Sequence, residues 1–403
     1  MNYSDTPHTA LWTRPYTLTI LATFLIYTPF ALFLPVLPVY VLEKLHGSSL
    51  AAGSVNAVFF LAVVMFRTQT ERFEVLFGKR QVLFGASLLF ACSNALFLFA
   101  GSTTSFMIIR FCSGALFAAA STRLMAMGGE LSPPGRKAEG VAFVAAAVTV
   151  GFAVGPFLGL TCARASGFPL VFGLSTLVAL CGALVSLPIA MPEQKGNMPP
   201  AGNVRIRNLF EGRAIPAAVV MMLLMLAVTA VLSFVSVYAD SMQLHTASTY
   251  FFVVLALCAV CSRLVAGRVY DRHGANWVVY PAIFVLSCGL FVLGTARSSA
   301  GMFAASLLIG FSYGILVPSL QTLAFAKSPP HRTSAVAATY FTFFDFGMSA
   351  GAYLVGASIP LLGYSRIYLL LGLLVLSVAL LYRQTCDGKQ PLLSLLSGEA
   401  EPP

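Results

Sequence analysis

About twelve runs of roughly 20 apolar residues follow one another along these 403 residues, separated by short polar loops, and nothing else limits the fold so severely. The spans fall near 16–42, 49–68, 81–100, 105–127, 138–163, 168–190, 215–239, 246–267, 276–296, 300–326, 334–360 and 364–383. Each is long enough to cross a hydrocarbon core. No water there bonds an exposed amide, and a lone strand would leave its peptide groups unsatisfied, so the spans are helices and the fold class is all-α. With 58% hydrophobic and 9% charged residues, the chain reads as a polytopic membrane protein and not as a soluble core.

The chain also says the same thing twice. Arg67, Gly78 and Ser132-Pro133-Pro134 recur as Arg263, Gly274 and Ser328-Pro329-Pro330, since 263 − 67, 274 − 78 and 328 − 132 all give 196. Gly151 and Gly155 fall on Gly347 and Gly351 by the same shift. Two pseudo-symmetric halves of about six helices follow, 1–190 and 214–385, with a polar linker at 191–213 and a tail at 386–403 that is expected to be flexible. Membrane proteins made of two parallel halves are usually transporters with the site between the halves.

The net charge of +10 invites thoughts of nucleic acid, but the placement of the charges explains it better. Lys44, Arg164, Arg297 and Arg366 fall on one side of the membrane, Arg110 and Arg123 lie within spans, and the remaining Lys and Arg lie on the other side. The positive-inside rule then puts both termini in the cytoplasm, and the inner membrane is the expected location. The residues before the first run are polar and no small-residue cleavage pattern follows it, so that run is read as a retained span.

Eight cysteines sit mostly in mid-span, where a structural disulfide is not expected. Cys258 and Cys261 have CxxC spacing but no His or acid beside them, so they read as packing residues and no metal is expected. His8, His46, His245, His273 and His331 are scattered, which argues against an enzyme. No glycine-rich phosphate loop ending in Gly-Lys-Ser or Gly-Lys-Thr occurs, so neither ATP use nor a cofactor is expected.

The loop Arg263-Leu-Val-Ala-Gly267-Arg268-Val-Tyr-Asp271-Arg272-His-Gly274 resembles the signature loop of the major facilitator superfamily, and the whole chain is similar to its proton-coupled drug and metabolite exporters. The resemblance implies a twelve-helix, two-half fold in which this loop latches the halves, and physics supports such a role. Gly267 permits close helix approach, and Asp271 can take charge-assisted bonds from Arg272 or a helix N-terminus. The loop can also be read as an ordinary basic turn. The first-half copy departs from the pattern: Glu71, Val75 and Leu76 stand where Gly267, Asp271 and Arg272 do, and Glu71 with Arg72 or Arg67 can substitute for the lost acid.

Arg110-Phe-Cys-Ser-Gly114 resembles the family's Arg-x-x-x-Gly element, in which the Arg is associated with proton transfer. An Arg in a membrane helix costs roughly 2.5–3.5 kcal/mol on insertion scales, so it asks for a partner, a cavity or a path to the interface. Gly151-Phe-Ala-Val-Gly155-Pro156-Phe-Leu-Gly159 is similar to the glycine–proline element of exporters, with Leu160 replacing the second Gly of the closing pair. The implied direction is therefore export.

Asp345, in Thr342-Phe-Phe-Asp345-Phe-Gly347, is the one acid placed well inside the membrane. It is a candidate for proton coupling with Arg110, or alternatively a structural acid paired permanently with a neighbouring Arg or capped by Thr342. Arg123 either binds an anionic group of the substrate or reaches the interface beside Glu130. The family fold puts Tyr27, Phe30, Phe117, Ser312, Tyr313, Gln321 and Thr322 within reach of a central cavity, though each is also ordinary packing. The reading is a secondary transporter, active as a monomer in the lipid bilayer, that exports a drug, metabolite or metallophore-like compound in exchange for protons. Uptake or uniport by the same fold is the alternative.

Overall fold

The computed structural model describes residues 11–189, 210–329 and 332–387, and all regular structure among them is helical. The elements are α1 (Arg14–Glu43), α2 (Ser49–Arg67), α3 (Thr70–Phe77), α4 (Lys79–Ala95), α5 (Thr103–Glu130), α6 (Lys137–Ser166) and α7 (Phe168–Ser186). They continue as α8 (Ile215–Ser241), α9 (His245–His273), α10 (Asn276–Thr295), α11 (Ser299–Ala326) and α12 (Thr333–Thr385). Most of the expected linker and tail lies outside the described residues.

Eleven of these helices are long and apolar enough to cross a membrane. The twelfth span is inside α12, whose helical path is broken at Gly363 with φ 73° and ψ 162°, so that one long element supplies two crossings. This is the boundary expected between 334–360 and 364–383. The one helix too short to cross is α3, eight residues in the loop between α2 and α4.

The 196-residue repeat is written into the backbone. Gly78 and Gly274 turn the chain with φ values of 87° and 85° at the start of equivalent spans, a left-handed conformation that L side chains rarely adopt. Gly167 (φ 83°) and Gly363 obey the same shift, because 363 − 167 is again 196. Ser102 accepts from the Ser105 amide at 3.2 Å to cap α5, and Ser298 accepts from the Gly301 amide at 3.3 Å to cap α11. Ser132 and Ser328 each donate back one turn, to the carbonyls of Gly128 and Ala324 at 2.6 and 2.7 Å.

The described residues of Met1–Val36 and Ala62–Gly202 form one compact unit, and those of Leu37–Leu61 and Asn203–Pro403 a second. In the first, α4 packs between α5 and α7, and α5 also touches α6. Glycines let α6 lie against α1: a Cβ at Gly155 would stand 2.5 Å from the Thr28 carbonyl oxygen. In the second unit, α12 packs on α8 and α10, and α11 on α9 and α10. Here Gly347 and Gly351 repeat the α6 device, since their Cβ atoms would meet the Met222 and Leu226 carbonyl oxygens at 2.2 and 2.3 Å. Such approach is what small residues at four-residue spacing allow in a bilayer, where dispersion contacts and not water exclusion hold helices together.

Candidate functional site

In the second unit a polar seam runs through otherwise apolar helices. Asp345 is 4% exposed on the first arm of α12. Four residues on, and therefore on the same helix face, Ser349 donates to the Ala57 carbonyl at 2.8 Å. The neighbouring Asn56, fully buried, donates its amide to Ser233 Oγ of α8 at 3.1 Å. The residues that bring α2 and α12 this close are Gly53 and Gly356, whose added Cβ atoms would meet the Ala352 and Ser49 carbonyl oxygens at 2.2 and 2.6 Å. Buried polar groups in hydrocarbon are costly unless paired, so a chain of them at mid-span is a functional candidate.

The other predicted residues of this unit lie elsewhere. Arg263 is most of the way along α9 and faces Tyr313 and Tyr340, and the Tyr340 hydroxyl donates to the Val317 carbonyl at 2.7 Å. On α11, buried Ser312 donates to the Leu308 carbonyl at 2.8 Å and exposed Thr322 to the Pro318 carbonyl at 2.9 Å. Gln321 is half-buried, nine residues from Ser312 and so on the opposite side of α11. Asp271 and Arg272 are exposed at the end of α9, where the amide of Gly274 closes the last turn onto the Tyr270 carbonyl at 2.8 Å. A Cβ at Gly267 would meet open space, so this glycine is not used for close packing within the unit.

The first unit holds an aromatic ladder. Phe117 of α5 stacks on Phe30 of α1 with ring centroids 4.6 Å apart, and Tyr27 meets Phe117 edge-on at 5.0 Å. Phe152 of α6 adds an edge contact to Phe30 at 5.4 Å. The structure thus brings Tyr27, Phe30 and Phe117 together, one turn from the glycine contacts that Gly151, Gly155 and Gly159 make with α1. Pro156 sits inside α6 beside them. Further along the same pair of helices, the fully buried Arg110 guanidinium lies 5.7 Å from the Phe33 ring centroid, within cation–π range.

Arg123 is not in that ladder. It is 2% exposed at the Lys- and Arg-rich end of α5, where both its terminal nitrogens bond the Glu130 carboxylate. Glu74 of α3 stands 3.8 Å away, and Lys79 of α4 lies 3.5 Å from Glu130. Burial pushes the Glu74 carboxyl up from its ordinary value, with Arg123 and Lys79 pulling the other way. Of the residues named from sequence as substitutes for the lost latch acid, Arg72 bonds Gln69 at 3.0 Å, Arg67 bonds Thr122 at 3.3 Å, and Glu71 is exposed. Glu74 is the acid that reaches a buried Arg, and its place three residues after Glu71 on a short helix was the only signal for it.

A cavity of about 390 Å³ opens at the equivalent end of the second unit, lined by His273, Asn276, Trp277, Leu323, Cys386 and Asp387. It is a terminal clamp far along the spans from Asp345: Asn276 and the Tyr280 hydroxyl both donate to Asp387, the latter at 2.8 Å. Among the described residues no three His, Cys, Asp or Glu converge as metal ligands would.

Residues 19–352 match the family described as the Major Facilitator Superfamily. An uncharacterized MFS-type transporter of Methanocaldococcus jannaschii is 21% identical over 343 residues, 83% of this chain and 88% of that one. The 4-hydroxybenzoate transporter PcaK of Pseudomonas aeruginosa is 34% identical over 128 residues, 31% of this chain and 28% of its own length. Among solved structures, a D-xylose-proton symporter has a TM-score of 0.76 at 14% identity, covering 93% of this chain and 98% of that one. A POT family transporter in complex with 5-aminolevulinic acid has a TM-score of 0.77 at 13% identity, covering 94% and 98%.

Proposed function

The chain belongs to the Major Facilitator Superfamily, and from that premise we propose that it exports a small organic molecule in exchange for protons, with Asp345 as the proton carrier. That it is a multi-pass membrane transporter follows from the family and the eleven apolar helices. The observation that carries the proposal is a carboxylic acid buried at mid-span on a seam of paired polar groups. An acid out of water holds its proton more tightly, and one that meets water or a cation releases it. A carboxyl whose surroundings alternate therefore loads and unloads a proton once per cycle.

Arg110, fully buried in the first unit, is the cation that modulates this exchange. Asp271, Arg272 and Gly274 form the family-type latch, while the loop of the first unit, which lacks that Asp, is fastened to its own unit through Glu74 and Arg123. Tyr27, Phe30 and Phe117 supply apolar and aromatic contacts to the substrate, an organic molecule that can stack on rings. Both termini are cytoplasmic, the location is the inner membrane, and one chain suffices.

Export is favoured by the Gly155-Pro156 element. Proton-linked uptake is the second reading, favoured by the segment similar to a 4-hydroxybenzoate transporter and by the likeness to a D-xylose-proton symporter. Flux across proteoliposomes under an imposed pH gradient separates the two over a mixed panel of drugs and metabolites. Antiport moves substrate against the proton flow and symport moves it with the flow; flux indifferent to the gradient sinks both.

A further inference from the structure

The repeat supplies its own control at the loop helix α3. Positions 75, 76 and 77 are Val-Leu-Phe, whereas their partners 196 residues later, 271, 272 and 273, are Asp-Arg-His. Both triplets are exposed: Val75 is 49%, Leu76 72% and Phe77 63% accessible, and all three polar counterparts are exposed as well. Leaving three consecutive large apolar side chains in water forfeits hydrophobic free energy that the polar copy does not lose. Something other than water covers them.

Chain geometry says what lies within reach. Phe77 is followed by Gly78 and then by Lys79, the first residue of a membrane span. At no more than about 3.6 Å per residue, Val75, Leu76 and Phe77 cannot be more than roughly 15 Å from the start of that span. One side of α3 is already engaged: Thr70 is buried, and Glu74 faces Arg123 at 3.8 Å with Lys79, Glu130 and Glu71 as the other charges around it. Val75 and Leu76, about 100° and 200° around the helix from Glu74, are thus turned away from the unit, and Phe77, exposed as well, ends the helix nearer the Thr70–Glu74 side. Arg72 and Arg80, both exposed, flank them, as cations do at a headgroup layer.

We infer that α3 is a bilayer anchor, in which Val75 and Leu76, with Phe77 at the helix end, enter the acyl boundary of the leaflet on the Lys- and Arg-rich side while Glu74 and Arg123 hold the Glu74 face to the unit. Short apolar helix ends flanked by basic residues seat themselves in this way, about 5–10 Å into the headgroup–acyl boundary. The loop of the second unit, carrying Asp271, Arg272 and His273, stays in water. The loop that departs from the family's latch has therefore exchanged a charged surface for a lipid-facing one.

The test uses the full chain in vesicles of phosphatidylethanolamine and phosphatidylglycerol. With Trp12→Phe and Trp277→Phe removing the two native indoles, Leu76→Trp and Arg272→Trp are compared, both at exposed sites where a larger ring displaces nothing. The indole at position 76 is expected to emit further to the blue and to be quenched several-fold more by lipid brominated near the headgroup than the indole at 272, which acrylamide quenches instead. Equal acrylamide quenching at both positions would overturn the inference. So would an indole at 76 shielded from both quenchers, because protein and not lipid would then cover α3.

Discussion

The two units share their glycines and serine caps at a fixed spacing, yet fasten the ends of their helices with different charges. Arg136 pairs with Glu139 three residues away, with side chains 41% and 43% exposed. Its counterpart Arg332, 196 residues on, reaches Glu211 at 2.7 Å, and that acid is only 6% exposed. Arg123 gathers Glu130 and Glu74 in the first unit, while Ser319 stands at the equivalent position of the second, which instead holds Asp387 between Asn276 and Tyr280. A positive φ combined with an extended ψ, as at Gly78, Gly167, Gly274 and Gly363, or a backbone contact near 2.3 Å calls for glycine, so those positions are kept in both copies. A charge pair has many equivalents, and each copy has found its own.

The comparison breaks most visibly at the close-packed glycines. Gly155→Leu and Gly351→Leu each drive side chains into a helix backbone and should cost about 3 kcal/mol or more, read as loss of folded protein in detergent melting curves. Gly267→Ala, with open space around it inside a helix, should cost nothing and can stabilise by up to about 1 kcal/mol. Equal losses at all three sites would mean that the shared glycines are not the common framework.

A smaller effect separates the charge pairs. Arg332→Gln leaves Glu211 buried beside one neutral partner and should cost about 2–3 kcal/mol, discounted because a third of Arg332 is exposed. Arg136→Gln should leave the melting temperature where it was, since its pair is exposed. A loss at Arg136 matching that at Arg332 would contradict the contrast drawn between them.

The smallest effect is a pH dependence confined to the first unit. Burial holds the folded Glu74 carboxyl pKa above its ordinary value, so its contribution to stability is fully present below the unfolded pKa and is lost as pH rises through the folded one. Wild type should therefore gain on Glu74→Gln as pH falls from neutral into the acid range, measured as the difference in their melting temperatures. A difference that is flat with pH, or that grows with rising pH, would show that Arg123 and not burial governs this acid.

Most of the fold was legible because membrane spans are local objects. Twenty apolar residues and a 196-residue shift can be read without knowing any contact, and the break at Gly363 fell where composition put it. The further pairs Gly167/Gly363 and Ser102/Ser298 obey the same shift but carry no signal of their own in the sequence, since one glycine or serine in a loop is ordinary until its φ or cap is seen. The candidate site was less legible. That Tyr27, Phe30 and Phe117 touch is a property of how α1 meets α5, and that Ser349, one turn from Asp345, bonds the carbonyl of Ala57 beside the Asn56–Ser233 pair involves three helices far apart in sequence. The sequence points to Glu71 and not to Glu74, because nothing local tells which side of an eight-residue helix faces a buried Arg.

The most direct measurement is made on Asp345→Asn in proteoliposomes, comparing substrate exchange at equal pH with accumulation driven by a pH gradient. A proton carrier at Asp345 predicts that exchange persists while gradient-driven accumulation is lost. Accumulation that survives the substitution at wild-type rate would contradict the account and leave Asp345 a structural acid.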